Sequence, residues 1–260
     1  MAEYAFLTRG VAVNIYAIAR DHSLVDFDQY VRTLSGEVQF ITIHDPGELG
    51  LYDVEGALLT GERHIVTEKA RAYFEHHLAG IVQFGMPRGV LDDPAFDMTI
   101  DCTFCANSAA NVDRYEPCLV LLLKGPTDKA VTVMDGQFGS LYPWDEDLGL
   151  CSLSSAKHTP FSKECRSYAE AARILDSLGS AEIERQGEAM IDAMARYYPA
   201  VRDFEVVDHL LSIRAMPLSG ADTRLVDVAR AGERTLRVRA GKIDAVIHAE
   251  RLVKAMLCSA

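Results

Sequence analysis

The residues of this chain best placed to do chemistry lie where one backbone pattern gives way to another, between positions 235 and 257. Thr235–Ala240 sets Leu236 and Val238 against Arg237 and Arg239, the period-two mark of a half-buried strand. From Ile243 the apolar residues change spacing, and Ile243, Val246, Ile247, Val253, Met256 and Leu257 fall on one helical stripe. Gly241 joins the two patterns, followed by Lys242 and Asp244. A strand–glycine–helix junction directs unpaired backbone N–H groups outward, where they can meet an anion or an electron-rich ring. The same junction can instead do no more than close an α/β unit, with Asp244 complementing the helix N-terminus and Lys242 in solvent.

Other patterns narrow the chemistry. The pair Cys102-Thr-Phe-Cys105 has the spacing of redox and zinc sites, but no second pair follows at a suitable distance. The remaining cysteines, at 118, 151, 165 and 258, suit reduced thiols packed as small apolar residues, and no metal site is expected. His76 and His77 are neighbours on a predicted helix and so point apart. The sequence contains no GxGxxG, Walker A, HExxH, GxSxG or EF-hand pattern.

The elements that must position these groups are legible from periodicity. Val11–Ala19 alternates as a strand, with Asn14 and Tyr16 on one face and Ile15 and Ala17 on the other. Asp26 is placed to cap a short helix with Phe27, Tyr30, Val31 and Leu34 inward. Glu37–Ile43 and Tyr52–Leu59 read as strands, and Val66–Ala79 as a helix burying Ala70, Tyr73, Phe74 and His77 or Leu78, with Thr67 as its cap. After a loop over 85–96, Asp97–Phe104 reads as a buried strand. Cys118–Lys124, Ala130–Asp135, Ser140–Pro143 and Gly149–Lys157 follow as short strands with tight turns. Phe161–Leu178 and Ala181–Tyr198 predict a helical hairpin with Ser180 as an N-cap, and Phe204–Met216 a long strand carrying Arg214. The expected fold class is α+β: one compact unit over 1–260, with a large mixed, mostly antiparallel sheet covered by helices.

Composition limits the partners. A net charge of −12 with no lysine- or arginine-rich run disfavours nucleic acid. The longest uninterrupted apolar run, Leu119–Leu123, is far too short for a membrane span. Val11–Ala19 lacks a basic flank and does not read as a signal peptide, so a cytoplasmic location is expected.

Four segments, taken in order, resemble FAD-dependent oxidoreductases of the D-amino-acid oxidase/glycine oxidase superfamily. They are Tyr16–Arg20 with Ser23–Tyr30, Phe96–Asn107, Met134–Pro143 leading to Ser154–His158, and Ser212–Pro217 followed by Arg239–Asp244 and the last helix. The first is similar to members met in surface-polysaccharide gene clusters, which would link the chain to that metabolism. The resemblance implies a substrate domain over approximately 1–95 and 110–220, and a remnant of an FAD-binding domain over 96–109 and 221–260. It implies oxidation of a small amine, amino-acid or hydroxy substrate by hydride transfer to FAD. Arg214 would clamp a substrate carboxylate, or else form a salt bridge with one of the protein's own carboxylates. Tyr142 would hydrogen-bond the substrate or pack at a strand end. His158 would hold a proton near the flavin or serve structure. Gly241, Lys242, Ile243 and Asp244 would form the cofactor loop, stabilising charge on the reduced ring.

The family's first strand, glycine fingerprint and first helix have no counterpart here, which implies a truncated member whose nucleotide-binding half is missing or comes from a separate chain. The alternative is a non-catalytic binding domain of the same descent, without flavin.

Overall fold

The computed structural model describes residues 2–83, 92, 94–107, 114–216, 226–239 and 245–258. In chain order the described elements are β1 (Thr8–Gly10), β2 (Val13–Ala19), α1 (Phe27–Leu34), β3 (Phe40–Ile43), β4 (Val54–Thr60), β5 (Arg63–Ile65) and α2 (Thr67–Leu78). Next come β6 (Thr99–Asp101), β7 (Arg114–Lys124), β8 (Lys129–Met134), β9 (Gly139–Asp145), β10 (Leu150–Ser155), α3 (Tyr168–Ser177) and α4 (Ser180–Ala195). The chain ends with β11 (Glu205–Met216), β12 (Asp227–Arg230), β13 (Thr235–Arg239) and α5 (Val246–Cys258).

Where periodicity predicts one compact unit, the chain groups into two. The first comprises Met1–Val82, Leu119–Pro160 and Gly179–Leu210, and the second Gln83–Cys118, Phe161–Leu178 and Leu211–Ala260. The predicted helical hairpin is divided between them at Gly179. Its first arm is also shorter than its apolar spacing suggests. Residues before Ser167 stay extended, with Cys165 bridged to Tyr115, and Ser167 caps α3 by accepting from the Glu170 amide. The cap of α4 is Gly179 rather than Ser180, and the Glu182 carboxylate accepts from the Gly179 amide.

An eight-stranded sheet runs in the order β11-β7-β10-β9-β8-β2-β4-β3. Every pair whose register is described is antiparallel save β2 and β8, which run parallel with Asn14 beside Ala130 and Tyr16 beside Thr132. This is the mixed, mostly antiparallel sheet that the short strands predict.

Alternation sorts the first unit's residues onto two unlike faces. Ile15, Val131, Leu141, Leu153 and Leu121 are cross-strand neighbours in one row and all are buried. Helix α4 covers that face so closely that a Cβ on Gly187 would lie 3.2 Å from Leu121, and one on Gly139 3.2 Å from Met194. On the opposite face, α1 covers one end. Asp26 caps it by accepting from the Gln29 amide, and Phe27 packs with Ile18 and Leu58. Elsewhere that face carries polar residues beside Ala130 and Leu122.

Helix α2 departs from its predicted packing, because none of its residues is buried. Its aromatic side chains instead form a cluster with the N-terminal segment, Tyr73 meeting the rings of Tyr4, Phe6 and Phe74. Val66, not Thr67, occupies its N-cap position and supplies no side-chain acceptor.

The second unit contains a three-stranded sheet ordered β12-β13-β6, in which β6 and β13 are parallel and β12 antiparallel. Leu236 and Val238 pack there with Ala249 and Val253 of α5, so the predicted change from strand to helix does bury one apolar cluster. Residues 96–109 and 221–260, read as the remnant of the cofactor domain, fall within this unit.

Candidate active site

The polar face of the first unit is built by register. Tyr16, Thr132, Ser140 and Ser154 occupy one cross-strand row over four strands, and Tyr142 stands beside Ser152 in the next. The hydroxyls of Thr132 and Ser140 are 2.8 Å apart. Where β2 meets the end of β4, Asn14 Nδ2 donates to Thr60 Oγ1 at 2.7 Å and to Glu62 Oε2 at 3.2 Å, and the Tyr16 hydroxyl donates to the same carboxylate oxygen. Asn14 is only 1% exposed, and its Oδ1 has no hydrogen-bond partner among the described residues. A buried acceptor left open in this way is costly unless something fills it.

Tyr142 lies edge-on to His64, their ring centroids 6.3 Å apart and their planes at 80°. Burial, reinforced by the negative charge of Glu62, pushes the Tyr142 phenol up to about 12. Burial and then the hydrogen bond to Glu62 raise Tyr16 as well. Both phenols keep their protons at neutral pH; Tyr16 gives its one O–H to Glu62, which leaves Tyr142 to donate to a ligand.

These shifts predict a loss of stability in alkali. Above the ordinary phenol value of about 10, the unfolded chain releases protons that the folded chain retains until about 12 at Tyr142. Folding free energy should therefore fall as pH rises through that window. After allowance for solvent screening, Tyr142→Phe should abolish about 1–2 kcal/mol of the loss, read as a smaller shift in urea midpoint between about pH 8 and about pH 11.

The residues singled out by sequence are distributed over both units. Tyr142 and His158 belong to the first and Arg214 to the second. Tyr142 is on the polar face, half-buried. His158 lies beyond the end of β10 in a turn, where its amide donates to Ser155 Oγ at 3.2 Å and its carbonyl accepts from Gln186. Burial, then the charge of Lys157, lowers its pKa. Arg214 donates to Glu116 Oε2 through Nε at 3.1 Å and Nη2 at 2.6 Å, while Arg114 Nη2 reaches Oε1 at 2.7 Å. Glu116 is 1% exposed, so this is a buried carboxylate held between two guanidinium groups. Gly241, Lys242, Ile243 and Asp244 lie outside the described residues.

On β6 of the second unit, Asp101 is buried. Its Oδ1 accepts from the Thr103 amide and hydroxyl at 2.9 and 2.6 Å, whereas Oδ2 has no hydrogen-bond partner among the described residues. Phe104 and Cys105 follow with positive φ of 58° and 64°, a conformation that L-residues seldom adopt. Cys102 is exposed and Cys105 buried, and no metal-holding group of His, Cys, Asp or Glu occurs among the described residues. No helix among them is long and apolar enough to cross a membrane.

The first unit thus holds a mixed sheet with a row of polar residues on one face, and the second a small mixed sheet packed with a helix. The chain superposes on a modified fructosyl peptide oxidase from Aspergillus nidulans with a TM-score of 0.63, 11% identity, and coverage of 94% of this chain and 71% of that one. Superposition on L-proline dehydrogenase from P. horikoshii gives a TM-score of 0.59 at 11% identity over 92% of this chain and 70% of the other. For glycine oxidase from Geobacillus kaustophilus the TM-score is 0.59 at 11% identity, over 91% and 67%. In sequence the chain is 31% identical over 266 residues to the FAD-dependent monooxygenase FPY4 of Fusarium mangiferae, spanning 98% of this chain and 71% of that protein. The chain belongs to the FAD-dependent oxidoreductase family of that monooxygenase, which has the fold of the D-amino-acid oxidase/glycine oxidase superfamily. No protein-family model matches it.

Proposed function

We propose that this chain supplies the substrate wall, and part of the cofactor wall, of an FAD-dependent oxidoreductase acting on a small amine, amino-acid or hydroxy compound. The observation that carries this reading is the polar row of the first unit's sheet, where Asn14 Oδ1 is buried with no hydrogen-bond partner among the described residues, beside Tyr16, Glu62 and Tyr142. A bound flavin would supply the acceptor for hydride. The residues present fit such a group in part. Asp101 Oδ2 in the second unit offers one acceptor for a ribose hydroxyl or a ring N–H, and Gly241, Lys242, Ile243 and Asp244, outside the described residues, are the proposed contact with the ring. The sequence has no GxGxxG to hold a pyrophosphate.

On the substrate side, the Tyr142 hydroxyl would orient the substrate's polar end by donating its proton, and Glu62 would accept from an amine or hydroxyl. Arg214 could serve a substrate carboxylate only by sharing it with Glu116, which already takes two of its N–H groups. His158 would act through the turn that it braces.

Purified protein that is yellow, or that quenches FAD fluorescence on titration, is the expected result. In that preparation Tyr142→Phe should raise KM about tenfold while flavin content stays unchanged. Colourless protein that leaves FAD fluorescence unaltered would overturn the reading. It would favour a binding domain without flavin.

A further inference from the structure

The charges gathered around the polar row of the first unit have one sign, and that sign selects among substrates. Glu62 is exposed, and Asn14 and Tyr16 both donate to its Oε2. They fix the carboxylate in place, while no hydrogen bond to Oε1 occurs among the described residues. Tyr16 and Tyr30, both half-buried, pack against the cluster of Ile18, Phe27 and Leu58, as does Met134, the neighbour of Asp135. With Tyr142 they make three phenols on this side of the sheet. Burial raises the pKa of each; Asp135 and then Glu62 add to the shift at Tyr30, and Glu62 adds to those at Tyr16 and Tyr142. No cation among the described residues lowers any of the three.

The basic side chains are engaged or placed elsewhere. Arg63, next to Glu62, donates to the hydroxyl and carbonyl of Thr8. His64, edge-on to Tyr142, has its pKa lowered by burial and is neutral. Arg20 is exposed beyond the far end of β2, and the exposed Lys124 ends β7, four strands from β2 in the sheet. Arg214, in the second unit, gives two N–H groups to the buried Glu116.

An amino-acid substrate needs a cation to receive its carboxylate, and the described part of this face offers none. An alkylammonium group needs a carboxylate acceptor and is favoured by the negative faces of aromatic rings, and both are present. On the reading of this row as the substrate wall, we infer that the substrate is an amine that is bound as its cation and carries no carboxylate. Its ammonium group is met by Glu62 and its body by the neighbouring phenols. A substrate carboxylate in the same place would be repelled by Glu62 and Asp135.

Calorimetric titration of the full chain with phenethylamine, phenylalanine and 3-phenylpropionate compares one ring bearing an ammonium group, both charges, or a carboxylate alone. Phenethylamine should bind about tenfold more tightly than phenylalanine, and 3-phenylpropionate should not bind. Glu62→Gln should weaken phenethylamine about tenfold, with the melting temperature held because glutamine keeps an acceptor for Asn14 and Tyr16. Absence of amine binding, phenylalanine binding as tightly as the amine, or undiminished affinity in Glu62→Gln would each overturn the inference. Titration of the same preparation with FAD separates it from the oxidase reading. A colourless chain that still prefers the amine keeps the cation site and loses the flavin, whereas a yellow chain that prefers phenylalanine overturns this inference alone.

Discussion

Glu116→Ala should destabilise the protein by about 3–5 kcal/mol, because removing one member of a buried ionic group leaves the others uncompensated. Here the group is a carboxylate at 1% exposure with Arg114 at 2.7 Å and Arg214 at 2.6 Å. Its loss strands two guanidinium groups whose charges no longer offset the cost of leaving water. Urea unfolding at neutral pH, with the slope unchanged, would measure the effect as a shift in midpoint. Arg214→Met provides the informative contrast. If Arg214 acted on substrate alone, this variant would keep wild-type stability, whereas the hydrogen bonds to Glu116 predict a loss of about 1–3 kcal/mol. Any fall in turnover in an Arg214 variant therefore has to be set beside its unfolding curve before the arginine is assigned to a substrate.

Phe27→Ala should cost a similar amount, about 3–5 kcal/mol, by emptying the joint between α1 and the sheet. Phe27 is the buried residue of α1, and its ring lies flat on the backbone of β4, where a Cβ on Gly56 would fall 2.4 Å from a ring carbon. The glycine is thus needed for close approach rather than for an unusual φ. Gly56→Ala alone should cost about 1–3 kcal/mol through overpacking. In a Phe27→Ala background the added methyl has room, so the same change should be close to neutral. A double-mutant cycle tests the contact directly, since additive effects would show that ring and glycine do not share the space.

What could be read from the sequence was whatever depends on neighbours along the chain. Asp26 caps α1 as its residue type and position predict, and the alternation of Val11–Ala19 already set Asn14 and Tyr16 on one face. The four-strand row of Tyr16, Thr132, Ser140 and Ser154 could not be read, because it depends on register between strands more than a hundred residues apart. Glu62 follows β4 and reaches Asn14 and Tyr16 only because β2 and β4 pair as they do. Glu116 was hidden by composition. The apolar run from Cys118 marks the strand, but β7 begins earlier, at Arg114, and places Glu116 against Arg214. The first arm of the expected hairpin, Phe161–Leu178, has helical spacing throughout, yet a bridge between Cys165 and Tyr115 keeps its beginning extended. Tertiary pairing overrides local preference there.

Helix α2 buries none of its residues, and Phe74 and Leu78 remain exposed on it. A helix anchored by a few ring contacts and an uncapped first turn opens at far lower free energy than the sheet beside it. Its amide protons should exchange with deuterium long before those of β8 or β9, and a protease offered the native protein should cut first between residues 67 and 78.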